Sequence, residues 1–249
     1  MLSKNKIKLI TSLAYKKNRD ETGLFVAEGF KIVEELSLSF ECEFIVYQTD
    51  KVNEIESITS TERIPVSEDI LKKISGQKTP QGVLGVFRKK TTSQINDQLL
   101  KTQLCLALDD IQDPGNLGTI IRLADWFGIK HIFCSKSTAD NYGSKVVQAT
   151  MGALARVEVH YVDLSEFLST NKNIPIYGTF LEGESIYSAN LSTAGIIVMG
   201  NEGKGISEAV ANTIIHKITI PAFPAGNLTS ESLNVAIATA IVCSEFRRR

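Results

Sequence analysis

From Gln103 onward the chain alternates short, mostly apolar runs with amphipathic stretches, and that alternation restricts the fold more than any other feature. Leu104 to Asp110, His131 to Ser135, Val157 to Val162, Ile174 to Leu181, Gly195 to Met199 and Lys217 to Pro221 read as strands. Thr119 to Phe127, Ser144 to Arg156, Leu164 to Thr170, Ile206 to Ile215 and Ser232 to Arg247 read as helices. Apolar strands, five of the six followed by a helix, predict an α/β domain built on a parallel sheet covered on both sides. Ligands of such sheets bind beyond the C-terminal ends of the strands, so the loops there are the first places to search.

The first 90 residues follow a different pattern. A basic helix over Ile7 to Lys17, a helix over Gly29 to Leu38, a strand at Phe44 to Tyr47, a short helix over Ser67 to Ser75 and a strand over Gly82 to Phe87 predict a small α/β unit. The polar stretch Lys89 to Asp97 suits a linker, and the expected division is 1–90, a linker over 91–102, and 103–249. Net charge is −1, from 27 basic and 28 acidic residues, which does not by itself mark a nucleic-acid binder. Basic residues nevertheless cluster at Lys4 to Arg19, Lys72 to Lys90 and Arg247 to Arg249, and from charge alone each cluster reads as a solvated face. No apolar run approaches the roughly 18 residues of a membrane span. The start of the chain lacks a signal-peptide core, so a cytoplasmic location is expected.

Three polar loops follow predicted strands. Asp109 to Arg122 holds a Pro-Gly turn, then Asn116 and Gly118 at a helix start, with Arg122 off the helix's apolar face. Arg122 suits an i,i+3 ion pair with Asp125 as readily as a place beside Asn116 in a strand-end cleft. The second loop carries Gly200, Gly203 and Gly205 around Asn201 and Glu202, and lets the backbone approach a ligand closely. It matches neither GxxxxGK[ST] nor GxGxxG, and its carboxylate is out of place in a phosphate cradle. The third loop runs from Pro221 through Gly226, Thr229 and Ser230 to Ser232, Leu233 and Asn234, directly before an apolar helix. Capping accounts for one of its hydroxyl residues, not for the whole cluster.

Other chemistry is missing. There is no GxSxG elbow and no HExxH. Cys42, Cys105, Cys134 and Cys243 form no CxxC pair and read as buried thiols. His131 and Cys134 alone make a weak metal signal, and His131, His160 and His216 read as structural residues without partners, so no metal is expected.

Taken in order, the three loops resemble the motifs of the SpoU/TrmH branch of the SPOUT superfamily, the RNA ribose 2′-O-methyltransferases. Asn116, Gly118 and Arg122 match an Asn-x-Gly-x-x-x-Arg motif; Gly200, Glu202 and Gly203 match Gly-x-Glu-Gly. Ile220, Pro221, Gly226 and Ser232 to Val235 match the third motif, and Phe25 to Glu35 with Thr79 to Val86 resemble the family's N-terminal substrate-binding domain. The loop between Pro221 and Ser232 is longer than the family's usual form, and Ala222 stands where Met is common.

The resemblance implies a C-terminal parallel-sheet domain with a deep trefoil knot, an exception among folds, and a small L30e-like N-terminal α/β domain that binds RNA. It implies S-adenosylmethionine as cofactor, held by Gly200, Ile220 and Leu233 with Thr179, Asn201 and Gly203 nearby, and a homodimer with the active site at its interface. Arg122 would be the family's base or, since arginine normally stays charged, a cation that orients the target phosphate; Asn116, Glu202, Ser232 and Asn234 would hold it and the ribose. Ribosomal RNA is the expected target, with transfer RNA as the alternative. A dinucleotide-dependent oxidoreductase on an ordinary doubly wound sheet would need the absent GxGxxG. A non-catalytic RNA-binding module would be expected to lose the motif residues that this chain retains.

Overall fold

The computed structural model describes residues 2–91, 97–223 and 232–248, so Gly226, Thr229 and Ser230 of the third loop lie outside the described residues. In chain order the elements of the first part are α1 (Lys4–Ser12), α2 (Lys16–Thr22), β1 (Leu24–Glu28), α3 (Phe30–Ser37), β2 (Cys42–Gln48), β3 (Arg63–Val66), α4 (Glu68–Ile74) and β4 (Val83–Arg88). Then come α5 (Asp97–Thr102), β5 (Leu104–Leu108), α6 (Pro114–Trp126), β6 (His131–Ser135), α7 (Ser144–Thr150), β7 (Glu158–Val162) and α8 (Leu164–Thr170). β8 (Ile176–Ser185), β9 (Gly195–Met199), α9 (Glu208–Ala211), β10 (His216–Thr219) and α10 (Val235–Arg248) complete the described chain.

Two compact units result: Met1–Thr91 with Asp140–Arg156, and Thr92–Ala139 with Val157–Arg249. The first carries a four-stranded sheet in the order β1-β4-β2-β3. Its β1/β4 and β2/β4 pairs are antiparallel and its β2/β3 pair is parallel. The returning segment is tied in by Arg19, whose guanidinium grips Asp140 through Nε (2.9 Å) and Nη2 (2.6 Å) and donates through Nη1 to the carbonyls of Leu13 and Ala14. Arg19 is 4% exposed, so its charge is held where every donor it turns inward finds an oxygen. Tyr142 of the same segment packs on Phe25, ring centroids 4.7 Å apart. The helix expected over Ser144 to Arg156 stops at Thr150 because Met151 (φ 51°) and Gly152 (φ 92°) turn left-handed. A Cβ on Gly152 would come within 2.8 Å of Glu35 Cβ, so this turn needs glycine.

The second unit is an α/β fold on a six-stranded sheet, order β10-β8-β9-β5-β6-β7, with every pair parallel. Alternation sorts its side chains. Cys105 and Ala107 of β5 lie opposite Ile196 and Val198 of β9, and all four join Phe133, Ile176, Leu164, Leu168, Val210 and Ile214 in one core. The intervening Leu104, Leu106 and Leu108 point to the other face, where α6 and α10 pack together. Burial pushes Cys42, Cys105 and Cys243 up to about 12, and Cys134 higher still. The four thiols are free and buried, as thiols rather than thiolates.

β5 leads by α6 to β6 on one side of the sheet, while β9 leads by α9 to β10, beyond β8 on the other. The C-terminal ends of β5 and β9 are therefore a switch point, where diverging connections leave a crevice. β8 adds to the opening: β10 pairs with it at Gly178 and then at Glu184, so residues 179–183 leave the ladder.

Candidate functional site at the ends of β5, β9 and β10

Each loop at this edge is held by a side chain of another. Asp109 directly follows β5; it is 5% exposed and accepts from the Ser207 backbone N–H at 2.7 Å. Asp110 follows with φ 59°, a left-handed conformation that aspartate tolerates better than most residues. Its N–H donates to Ser135 Oγ at the end of β6, and its carbonyl accepts from Asn201 Nδ2, both at 2.8 Å. Asn201 Oδ1 accepts in turn from the N–H groups of Gly203 (2.9 Å) and Lys204 (3.0 Å). Asn201 and Gly205 close the β9 loop by exchanging backbone bonds. Gly200 sits under that closure: a Cβ there would lie 2.3 Å from Gly205 C and Ile206 N, backbone atoms that cannot swing aside.

α6 begins a turn earlier than expected, with Asp113 as N-cap (its carboxylate accepts from Asn116 N, 2.8 Å) and Pro114 in the first turn. Asn116 is therefore helical, and its carboxamide faces the other two loops. Nδ2 donates to Glu202 Oε1 at 2.7 Å, and Oδ1 accepts from Asn234 Nδ2 at 3.0 Å. The bond to Glu202 is charge-assisted and half-buried, the stronger kind. Asn234 Oδ1 accepts from Ala236 N and Ile237 N, so Asn234, rather than one of the preceding hydroxyl residues, caps α10. One carboxamide thus joins three loops that lie far apart in the chain.

The remaining expected residues surround this network. Thr179 Oγ1 donates to the Val198 carbonyl at 3.1 Å where β8 leaves its ladder beside β9. Gly200 and Ile220 are half-buried and Gly203 is exposed; Leu233 leaves 47% of its surface uncovered despite being apolar. Ser232 is exposed, before the helix rather than in its first turn. The side chain of Arg122 is exposed on α6 and forms no hydrogen bond or ion pair among the described residues, neither the one its spacing allows with Asp125 nor one with Asn116. The structure thus brings Asn116, Glu202 and Asn234 together and leaves Arg122 presented outward. Asp109 and Asp110 brace the site without belonging to any of the three motifs. Their signal in the sequence is a pair of carboxylates ending a strand otherwise wholly apolar.

Arg247, expected on a solvated basic face, has a structural task instead. It donates from Nε to the Phe127 carbonyl (2.8 Å) and from Nη2 to that of Gly128 (3.2 Å), completing the C-terminus of α6 with a cation. His131 and His160, expected to lack partners, have one another: their ring nitrogens meet at 3.2 Å.

The fold and sequence are similar to those of known proteins. Residues 103–244 match the model of the SpoU rRNA Methylase family, and residues 4–85 that of the MRM3-like substrate binding domain. The 23S rRNA (guanosine(2553)-2′-O)-methyltransferase RlmP of Bacillus subtilis is 29% identical over 97% of this chain and 96% of its own. The 23S rRNA (guanosine-2′-O-)-methyltransferase RlmB of Neisseria meningitidis is 32% identical over 73% of this chain and 74% of its own. A TrmH-family structure from Porphyromonas gingivalis superposes with TM-score 0.90 at 42% identity, covering 100% of this chain and 99% of that one. An AdoMet-bound rRNA methyltransferase from Sinorhizobium meliloti superposes with TM-score 0.85 at 30% identity, over 100% and 96%. The chain belongs to the SpoU rRNA methylase family.

Proposed function

We propose that this protein is an S-adenosylmethionine-dependent methyltransferase that acts on a ribose 2′-hydroxyl of 23S ribosomal RNA. The observation that carries the reading is Asn116 joining Glu202 and Asn234, one residue from each loop at the switch point. The names of the Bacillus and Neisseria relatives support ribosomal RNA as the substrate, and the Sinorhizobium structure supports the cofactor. Transfer RNA is less well supported: a tRNA-modifying TrmH/SpoU enzyme from Aquifex aeolicus covers 61% of this chain at TM-score 0.50, whereas the Bacillus rRNA enzyme spans 97%. A ribosomal substrate goes with a cytoplasmic setting, and among the described residues no helix is long and apolar enough to cross a membrane.

The loops fit the cofactor's chemistry. Gly200 brings bare backbone to the edge of the crevice, while Ile220 and the exposed Leu233 offer apolar surface for a nucleoside. Gly200, Ile220 and Leu233 would hold the cofactor, with Thr179 and Gly203 shaping the pocket and Asn201 clasping its loop. When bound, S-adenosylmethionine supplies an electrophilic methyl group on a sulfonium. The protein's task is to align the ribose oxygen with that carbon and to accommodate the proton it loses, and positioning alone lowers such a barrier substantially. Arg122, exposed and unpaired among the described residues, takes the target nucleotide's phosphate through its planar fork of donors. Ser232 and Asn234 contact the ribose. The family's trefoil knot, threading these loops through one another, is part of the same reading.

Exposed Trp126 (83%) and Ile237 (56%), on the paired helices α6 and α10, support a homodimer that covers them. The basic residues of the N-terminal unit would carry contacts to the RNA backbone.

The test compares 2′-O-methylated nucleotides in ribosomal RNA from cells with and without the protein; one 23S position should lose its methyl group. Calorimetry with S-adenosylmethionine should give saturable heat, and its absence at millimolar cofactor would sink the reading. Arg122→Lys at saturating RNA should slow single-turnover transfer by about 100-fold; a near-normal rate would mean that Arg122 does not orient the target phosphate.

A further inference from the structure

At the opposite edge of the same sheet, where β6 and β7 begin, three side chains share one face. His131 is the register partner of Glu158, and Phe133 that of His160. Glu158 and His160 are two apart on β7, so their side chains project to the same side, and cross-strand pairing puts His131 there too. Cys134 is an odd number of positions from His131 and faces away, so that pair could not have bound a metal together. What the sheet assembles instead is two imidazoles and a carboxylate, with candidate ligand atoms all within 4.8 Å of one another.

From this arrangement we propose that His131 Nδ1, His160 Nε2 and a Glu158 carboxylate oxygen form a divalent-metal site of the zinc class. The two nitrogens lie 3.2 Å apart. Two ligands bound about 2.05 Å from a tetrahedral zinc are separated by about 3.3 Å, so the nitrogens already stand at ligand spacing and the rings need only turn their lone pairs from one another toward the ion. The Glu158 oxygen is 3.8 Å from His160 Nε2, and its side chain is 44% exposed, against 4% for His160. The ion would thus sit between a buried ring and solvent, with the fourth tetrahedral position open to water. His160 is fixed for this role by stacking on Phe133 (5.1 Å between centroids), which in turn packs on Phe167 of α8 (4.4 Å). Burial holds both imidazoles below their ordinary titration range, so they present neutral lone pairs at neutral pH.

Without metal, the same two nitrogens form one hydrogen bond, in which one ring must donate and the other accept. With metal, both rings turn a lone pair to the ion. The site lies at the strand starts, away from the loops after β5 and β9, so its role is to fasten β7, an edge strand, to β6 rather than to take part in methyl transfer.

The test uses the full chain, stripped with chelator and titrated with zinc chloride by calorimetry. One equivalent should bind with a Kd of about 10 μM or tighter, with a higher melting temperature in the zinc-bound form. His131→Gln and Glu158→Gln should each weaken binding by at least about tenfold. Glu158 is the more exposed of the pair with His160, so its variant disturbs the core less than a change at either ring; the far-UV circular dichroism of metal-free Glu158→Gln should match that of wild type. No saturable uptake at 100-fold higher zinc, or uptake unchanged in both variants, would overturn the proposal and leave a plain His–His hydrogen bond.

Discussion

Asn116 uses both ends of its carboxamide inside the site, which makes it more sensitive to substitution than an exposed asparagine. Asn116→Asp replaces a donor facing Glu202 with a second carboxylate. Single-turnover methylation should fall by about 100-fold, while far-UV circular dichroism stays that of the folded protein; equal loss of both would make Asn116 a folding residue. The motif residues Asn116, Glu202 and Asn234 were legible in the sequence, but their mutual bonds were not. Asn116 and Glu202 are 86 positions apart and meet because β5 and β9 are sheet neighbours, which no local pattern reveals. The same limit hid the meeting of His131 with His160. The titration of these two rings makes the metal-free protein sensitive to acid. Both folded-state pKa values lie below the ordinary 6.5, so as pH falls the unfolded chain takes up protons first. The stability they contribute is present above about pH 6.5 and is lost as pH falls through the folded values. The urea midpoint should drop between pH 7.5 and 5, and drop less in His131→Gln; an identical drop in both would assign it to other groups.

Among the elements, α6 and α10 form a parallel pair tied at both ends, Asn116 to Asn234 at the starts and Phe127 to Arg247 at the finishes. Arg247→Ala removes the cation from the α6 C-terminus and should lower unfolding stability by about 1 kcal/mol, measured by urea titration with wild type as reference. No change would mean that solvent satisfies those carbonyls equally well. The β9 loop is less forgiving. Gly200→Ala drives a methyl group into the backbone of Gly205 and Ile206, so the loop must open. Cofactor affinity should fall by at least about tenfold, or about 1.4 kcal/mol, by calorimetry; unaltered affinity would show that this loop is not part of the pocket. Strands apolar on both faces were readable, and β9 and α8 have the expected bounds. β3 was missed because Arg63-Ile-Pro-Val carries a proline, which marks it as an edge strand and weakens its pattern. The α9 region looked longer in sequence. Its helix ends at Ala211, and Thr213 turns its hydroxyl back onto the Val210 carbonyl.

For the whole molecule, a homodimer would withdraw Trp126 and Ile237 from water. Ile237→Glu should then shift light-scattering mass toward the monomer's 27.3 kDa and reduce methylation with it; an unchanged dimer would place the interface elsewhere. The two-part character of the chain was visible in its change of pattern near Gln103. The return of Asp140–Arg156 to the first unit was not, because Ser144 to Thr150 reads like any crossover helix between parallel strands. That return has a consequence for how the protein comes apart. The polypeptide passes from one unit to the other at three places, after Thr91, Ala139 and Arg156. A protease cut near residue 91 would therefore release no free domain: the downstream fragment keeps Asp140 and Tyr142, still anchored to Arg19 and Phe25 on the upstream one. The halves should co-migrate until denaturant is added, as the two pieces of a nicked but intact fold.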